Sequence, residues 1–176
     1  GRSWEIFTVS FLLPSSSRTM RLKDKVAIVT GAGRGIGRGI AEVFAAEGAK
    51  VVIATLELSE GQETLEAIRN AGGEAVAVQT DVSQEASVKA MVDKTIETYG
   101  RIDTLVNNAG ITVFKSIFEV TLEDWNKVIG IDLLGVFLCS KFAAAQMRSS
   151  GGSIINISSN HAIATIPNAE MYAAAK

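Results

Sequence analysis

The chain has 176 residues, 47% hydrophobic and 20% charged, with 17 basic against 19 acidic residues and a net charge of −2. That is enough apolar material for one domain with its own core, and it argues against disorder. The charge balance, with no basic block, excludes an electrostatic footprint for nucleic acid or an anionic membrane surface, and the single cysteine, Cys139, excludes an internal disulfide.

Residues 1–19 hold a short apolar run over 6–13, interrupted by Thr8 and Ser10 and closed by Pro14. The run is too short to span a bilayer. Glu5 opposes Arg2 and no small-residue cleavage site follows, so a secretory signal is not the reading it supports. Residues 1–19 read as a leader or vector-derived remnant, expected to be disordered, and the domain is expected to occupy 20–176. A strand is predicted over 25–30, then a helix over 34–47 with Ile40, Ala41, Phe44 and Ala45 on one face and Gly48 as its stop. A second strand follows over 50–56, and a second helix over 59–70 with Ser59 as N-cap and Gly72-Gly73 beyond its end. The third strand covers 74–80 and the third helix 83–99, with Ser83 as N-cap. A fourth strand lies within 101–108. One long helix is predicted over 121–148, its first-turn acids Glu123 and Asp124 suiting the helix dipole. A fifth strand covers 152–158. Cys139 sits in the apolar pattern of the long helix and is expected to be buried; one free thiol fits a reducing compartment, the cytoplasm.

Alternating strands and helices at this spacing mean an α/β fold: a Rossmann-like, doubly wound parallel sheet in three layers, α/β/α. The strands are continuous apolar runs, as required when helices cover both faces.

The first strand runs directly into Thr30-Gly31-Ala32-Gly33-Arg34-Gly35-Ile36-Gly37. A tight strand-to-helix turn needs residues free to take positive φ, and close approach of backbone to a pyrophosphate needs residues without side chains. The following helix N-terminus offers free N–H groups and partial positive charge to phosphates. The spacing is G-x-x-x-G-x-G with Gly33 extra. Ligands of such sheets bind beyond the carboxyl ends of the strands. Asp81, Asn107-Asn108-Ala109-Gly110 and Ser158-Ser159 fall at three further strand ends on that side.

A last, short helix is expected from about Asn168, and on it Tyr172 and Lys176, four residues apart, share one face. A neutral phenol is a weak acid at pH 7, and a neighbouring ammonium favours its charged form. Ser159 can hydrogen-bond a carbonyl or a developing alkoxide. The lone histidine, His161, reads as a loop residue, and no metal-ligand cluster is present.

TGAGRGIG (30–37), Asp81-Val82, NNAG (107–110), the Ser159–Tyr172 interval and YAAAK (172–176) together resemble the short-chain dehydrogenase/reductase family. Residues 20–176 look like its first two-thirds, closest to 3-oxoacyl-carrier-protein reductase and glucose-dehydrogenase-like members. The resemblance implies NAD(P) and interconversion of a small-molecule secondary alcohol and a ketone. Tyr172 would exchange the proton with the substrate oxygen, Lys176 would favour its phenolate and hold the nicotinamide ribose, and Ser159 would orient the carbonyl. Asp81 would receive the adenine amino group, and Asn107 would lie along the adenosine ribose. Cofactor contacts are implied for Gly31, Gly33, Arg34, Gly35, Ile36 and Gly37, for Thr55, for Asp81 and Val82, for Asn107, Ala109 and Gly110, and for Tyr172 and Lys176. For a full-length member the resemblance implies a homo-oligomer.

Two departures from the family pattern stand out. Asp132, within IDLLGVF (131–137), takes the place of an asparagine that serves a proton relay, and adds a negative charge near Lys176. Family members also continue past the catalytic helix with two more strands and a substrate-covering loop. The sheet is therefore expected to be incomplete at its C-terminal edge, and a second reading stays open: a nucleotide-binding piece without turnover. For the choice of nicotinamide, Thr55 stands where NAD-preferring relatives carry Asp, and Arg34 resembles the residue that pairs with a 2′-phosphate. Glu57 lies near the expected acidic position. Charge matching tilts the sequence reading towards NADP.

Overall fold

The five apolar runs form five parallel strands in the order β3-β2-β1-β4-β5 in the computed structural model, which describes residues 20–176. These are β1 (Val26–Thr30), β2 (Lys50–Thr55), β3 (Glu74–Gln79), β4 (Thr104–Asn107) and β5 (Ser153–Asn156). The expectation for residues 1–19 lies outside the described residues. The helices are α1 (Gly35–Ala46), α2 (Leu58–Asn70), α3 (Glu85–Tyr99), α4 (Leu122–Ile129), α5 (Gly135–Met147) and α6 (Glu170–Ala175).

Successive strand side chains point to opposite faces, so β1 to β4 each feed two cores, while the residues of β5 stay exposed. Ile28, Val52, Ala54 and Leu105 meet Val88, Met91 and Val92 of α3 and Leu138, Cys139 and Ala143 of α5. Val29, Val51, Ile53 and Val106 meet Ala41 and Ala45 of α1 and Leu65 and Ile68 of α2. This is the three-layer α/β/α sheet expected from continuous apolar runs. The registers Val29↔Ile53 and Val29↔Val106 put the ends of β1, β2 and β4 level with one another. Strand order reverses between β1 and β4, and a crevice opens there at the carboxyl ends.

Local structure corrects the sequence reading in four places. Ser59 does not cap α2, which begins at Leu58 with Glu57 before it and no side-chain cap. Ser83 does not cap α3, which follows Gln84, because its hydroxyl is spent on Asp81 Oδ1 at 2.7 Å. The long helix is not uniform: α4 and α5 are joined by a π-helical turn, Gly130–Leu134. The last helix starts at Glu170 rather than near Asn168, whose φ of +67° is not helical.

The stretch Leu122–Met147, mean hydropathy 1.8, is long and apolar enough to cross a membrane. Here its second half, α5, packs on β4 and α3, and its first half, α4, packs on α6. Thr121 caps α4 with a full capping box: its Oγ1 accepts from Asp124 N–H and Asp124 Oδ2 accepts from Thr121 N–H. α6 is only six residues long, yet Met171 and Ala175 bury themselves against Val128 of α4. Tertiary burial supplies what a helix this short lacks by itself.

Candidate active site

A cavity of about 480 Å³ opens over the carboxyl ends of β1, β2, β3 and β4. Its floor is the glycine turn, where Gly31 and Gly35 sit at φ +63° and +56°. Both values belong to the left-handed region that side chains disfavour. A Cβ at Gly37 would collide with the carbonyl oxygen of Gly31, so the start of α1 lies directly on the turn. α1 has no side-chain cap and no acid in its first turn. Its leading N–H groups are left for an anion.

The switch point is fastened by a residue that the motif reading passed over. Thr30 is buried, and its Oγ1 accepts from the N–H groups of Asn108 and Ala109, each at 3.0 Å, tying the end of β1 to the chain leaving β4. Asn108 Nδ2 donates back to the carbonyl of Thr30 at 3.0 Å. The asparagine pair therefore divides its work differently from the expectation. Asn107 is buried, and its Nδ2 donates to Ser140 Oγ and Asn156 Oδ1, bracing β4 against α5 and β5. Asn108, not Asn107, lines the cavity. Alternation at a strand end puts adjacent side chains on opposite sides.

Of the remaining residues expected at the nucleotide, Gly31, Arg34, Gly35, Ile36, Thr55, Asp81, Val82, Ala109 and Gly110 line the cavity. Gly33, Gly37, Tyr172 and Lys176 do not: Gly33 packs against Thr55 and Glu60, and Gly37 against the Gly31 carbonyl. Asp81 is oriented by Ser83, whose N–H donates to its Oδ1 at 3.0 Å. The side chain of Val82 presses on Gly135, where a Cβ would lie 2.8 Å from Val82 Cγ2.

The residues expected to carry the chemistry do not line the cavity; Asp132 and Lys176 meet beside it, at Gly110. Lys176 Nζ is 3.1 Å from Asp132 Oδ2, with the two side chains 8% and 0% exposed, so the pair is buried. Asp132 Oδ1 accepts from Ile111 N–H at 2.8 Å. Asp132 occupies the π-helical turn, the kind of widened turn often found at functional sites. Lys176 Nζ also stands 5.4 Å from the centre of the Tyr172 ring. Gly110 joins cluster and cavity: a Cβ there would lie 2.9 Å from Asp132 Oδ2 and 3.0 Å from Lys176 Nζ.

Ser159 opens a short 3-10 turn, Asn160–Ala162, and its Oγ accepts from His161 N–H at 3.2 Å. Ser158 Oγ donates to the carbonyl of Lys176 at 3.0 Å, holding the chain after β5 beside the end of α6. His161 is more than a loop histidine. Its ring meets that of Tyr172 edge-on at 5.5 Å and 75°, and its Nδ1 is 3.0 Å from Thr165 Oγ1. Cys139 takes no part: burial pushes its thiol up to about 12.

With this geometry established, comparison with known proteins is specific. A profile described as short chain dehydrogenase matches residues 25–176. An uncharacterised oxidoreductase of Thermotoga maritima is 49% identical over 156 residues, covering 88% of this chain and 61% of the relative. Meso-2,3-butanediol dehydrogenase of Serratia marcescens is 39% identical, covering 89% of this chain and 62% of that enzyme. Among solved structures, a 7α-hydroxysteroid dehydrogenase complexed with NADH and 7-oxo glycochenodeoxycholic acid superposes with a TM-score of 0.85 at 34% identity, covering 89% of this chain and 62% of the other. The chain thus spans about three fifths of the length of the relatives it matches.

Proposed function

The chain belongs to the short-chain dehydrogenase family, and on that premise we propose that it is the catalytic core of an NAD(P)-dependent oxidoreductase interconverting a secondary alcohol and a ketone. The observation that carries this is the seam at Gly110, which lines the cavity on one side and abuts the Lys176–Asp132 pair on the other. A nucleotide-sized cavity and a proton-handling cluster therefore share one wall.

The residues present fit the cofactor. Positive-φ glycines and an uncapped helix start would hold a pyrophosphate, and open space surrounds Gly35, where a Cβ would touch nothing within 4 Å. When bound, the nicotinamide supplies or accepts the hydride. The protein's own groups handle the proton and the oxygen. In the reducing direction Ser159 Oγ hydrogen-bonds the carbonyl oxygen, and Tyr172 donates its phenolic proton to that oxygen as it becomes an alcohol. In the oxidising direction the tyrosine oxygen takes the proton back. The Lys176 ammonium beside the ring stabilises the phenolate left behind, and Asp132 fixes where that ammonium sits.

Asp81 and Val82 would flank the adenine, and Asn108 and Ala109 the adenosine ribose. Arg34 favours NADP by its charge and Glu57 favours NAD, both at the cavity rim. The substrate is a small alcohol or carbonyl compound, and the setting is the cytoplasm. Leu133, Leu134 and Phe137 form an exposed apolar stripe suited to a homo-oligomer contact.

The test is hydride transfer followed by nicotinamide absorbance over a panel of secondary alcohols and ketones. Tyr172→Phe is expected to lower turnover on the order of a thousandfold while leaving cofactor binding intact. Near wild-type turnover in that variant would contradict the assignment. Cofactor binding with no turnover on any substrate would point instead to a binding module.

A further inference from the structure

Among the described residues, the rim of the cavity holds one cation, Arg34, with three carboxylates, Glu57, Glu60 and Asp81. Glu60 lies in the first turn of α2, and its position is set by packing. A Cβ at Gly33 would come within 2.8 Å of Glu60 Cβ and 2.7 Å of Thr55 Oγ1, so the stem of Glu60 rests on the glycine turn. Thr64, one turn along α2, donates to the Gly33 carbonyl at 3.0 Å and keys the helix to that turn. From there Glu60 Oε1 reaches Arg34 Nη1 at 3.3 Å.

We infer that Glu60 is the residue that sets cofactor preference, and that it sets it towards NAD by claiming the guanidinium that a 2′-phosphate would need. The inference rests on the dinucleotide reading of the cavity and goes against the sequence-level tilt towards NADP, which weighed Arg34 against Glu57 and left Glu60 out. The pair is exposed, Arg34 at 83%, and such pairs are weak. A phosphate can capture Arg34, but it cannot remove the two carboxylates. Glu57 and Glu60 outnumber the single guanidinium, so a dianionic phosphate enters a rim of net negative charge. A ribose diol brings two hydroxyl donors, which carboxylates accept well.

The experiment is titration of NAD and NADP into the wild type, Glu60→Gln and Glu60→Gln/Arg34→Ala, read by intrinsic fluorescence and thermal shift, with circular dichroism as the folding control. The wild type is expected to bind NAD about tenfold more tightly than NADP. Glu60→Gln keeps the stem and removes the charge, and should tighten NADP about tenfold with little change for NAD. Adding Arg34→Ala should cancel that gain. A wild type that prefers NADP, or a Glu60→Gln variant with an unchanged NAD/NADP ratio, overturns the inference and leaves the dinucleotide site standing. If neither nucleotide binds, the dinucleotide reading falls, and the inference with it. Should Glu60→Gln fail to fold, Glu60→Ser, which also removes the charge, is read in the same way.

Discussion

The Asp132–Lys176 pair is the most consequential contact at the scale of single residues. It places a carboxylate 3.1 Å from the ammonium that faces Tyr172, in a site where neither side chain meets much water. Water screens such charges poorly there, so removing one partner is costly. Asp132→Asn should retain the hydrogen bond from Ile111 N–H, because an amide oxygen also accepts. It leaves Lys176 without its counter-charge and should destabilise the fold on the order of 3 kcal/mol. It should also shift the pH–rate profile, since the ammonium and phenol then interact without a third charge; an unchanged profile would show that Asp132 has no hand in proton transfer. The sequence made part of this legible. The interval between Tyr172 and Lys176 puts both on one helical face by simple periodicity. Asp132 was suspect only through its position in a pattern, because a π-helical turn breaks the very periodicity that would show it facing inward. The choice between Asn107 and Asn108 was likewise unreadable: where β4 ends decides which neighbour turns into the core, and an asparagine pair carries no apolar signal of its own.

At the scale of elements, ends were harder to read than interiors. Thr121 and Asp124 were identifiable as a helix start, and the capping box forms. Ser59 and Ser83 have the right chemistry one or two residues from a helix start, but tertiary demands took precedence. Glycine-turn packing sets the start of α2, and Asp81 takes the Ser83 hydroxyl. Asp124 also shows how a cap reaches outside its helix. Hydrogen bonds from Lys115 Nζ, and then from the Thr121 N–H and hydroxyl, hold its carboxyl down at about 2. A carboxyl depressed in the folded state adds stability above its unfolded value near 3.8, and that gain is lost as pH falls towards about 2. Denaturant unfolding of the wild type and Asp124→Asn should therefore differ at pH 6 and converge between about pH 4 and pH 2. A gap that persists at low pH would mean that shape, not charge, carries the contribution. α6 makes the complementary point: Met171 and Ala175 hold a helix of six residues through burial that no propensity scale records.

At the scale of the whole molecule, the fold was the most legible level. Apolar runs long enough for both faces, spaced by amphipathic segments, leave little besides a parallel sheet with helices on each side. The paired residues Ile28 and Val29, or Val52 and Ile53, show why: neighbours serve opposite cores. That topology also places the site, because the reversal between β1 and β4 creates the crevice before any particular residue lines it. What topology cannot reveal is the charge balance at the rim, which depends on where α2 sets Glu60 against Arg34. The central claim is that this crevice is formed and takes a nicotinamide dinucleotide. Its most direct test is thermal unfolding of the chain, alone and with NAD or NADP at a hundred times the dissociation constant. The account predicts one cooperative transition, stabilised by about 2.7 kcal/mol and shifted upward by about 5–10 °C. A transition that neither dinucleotide moves would contradict it.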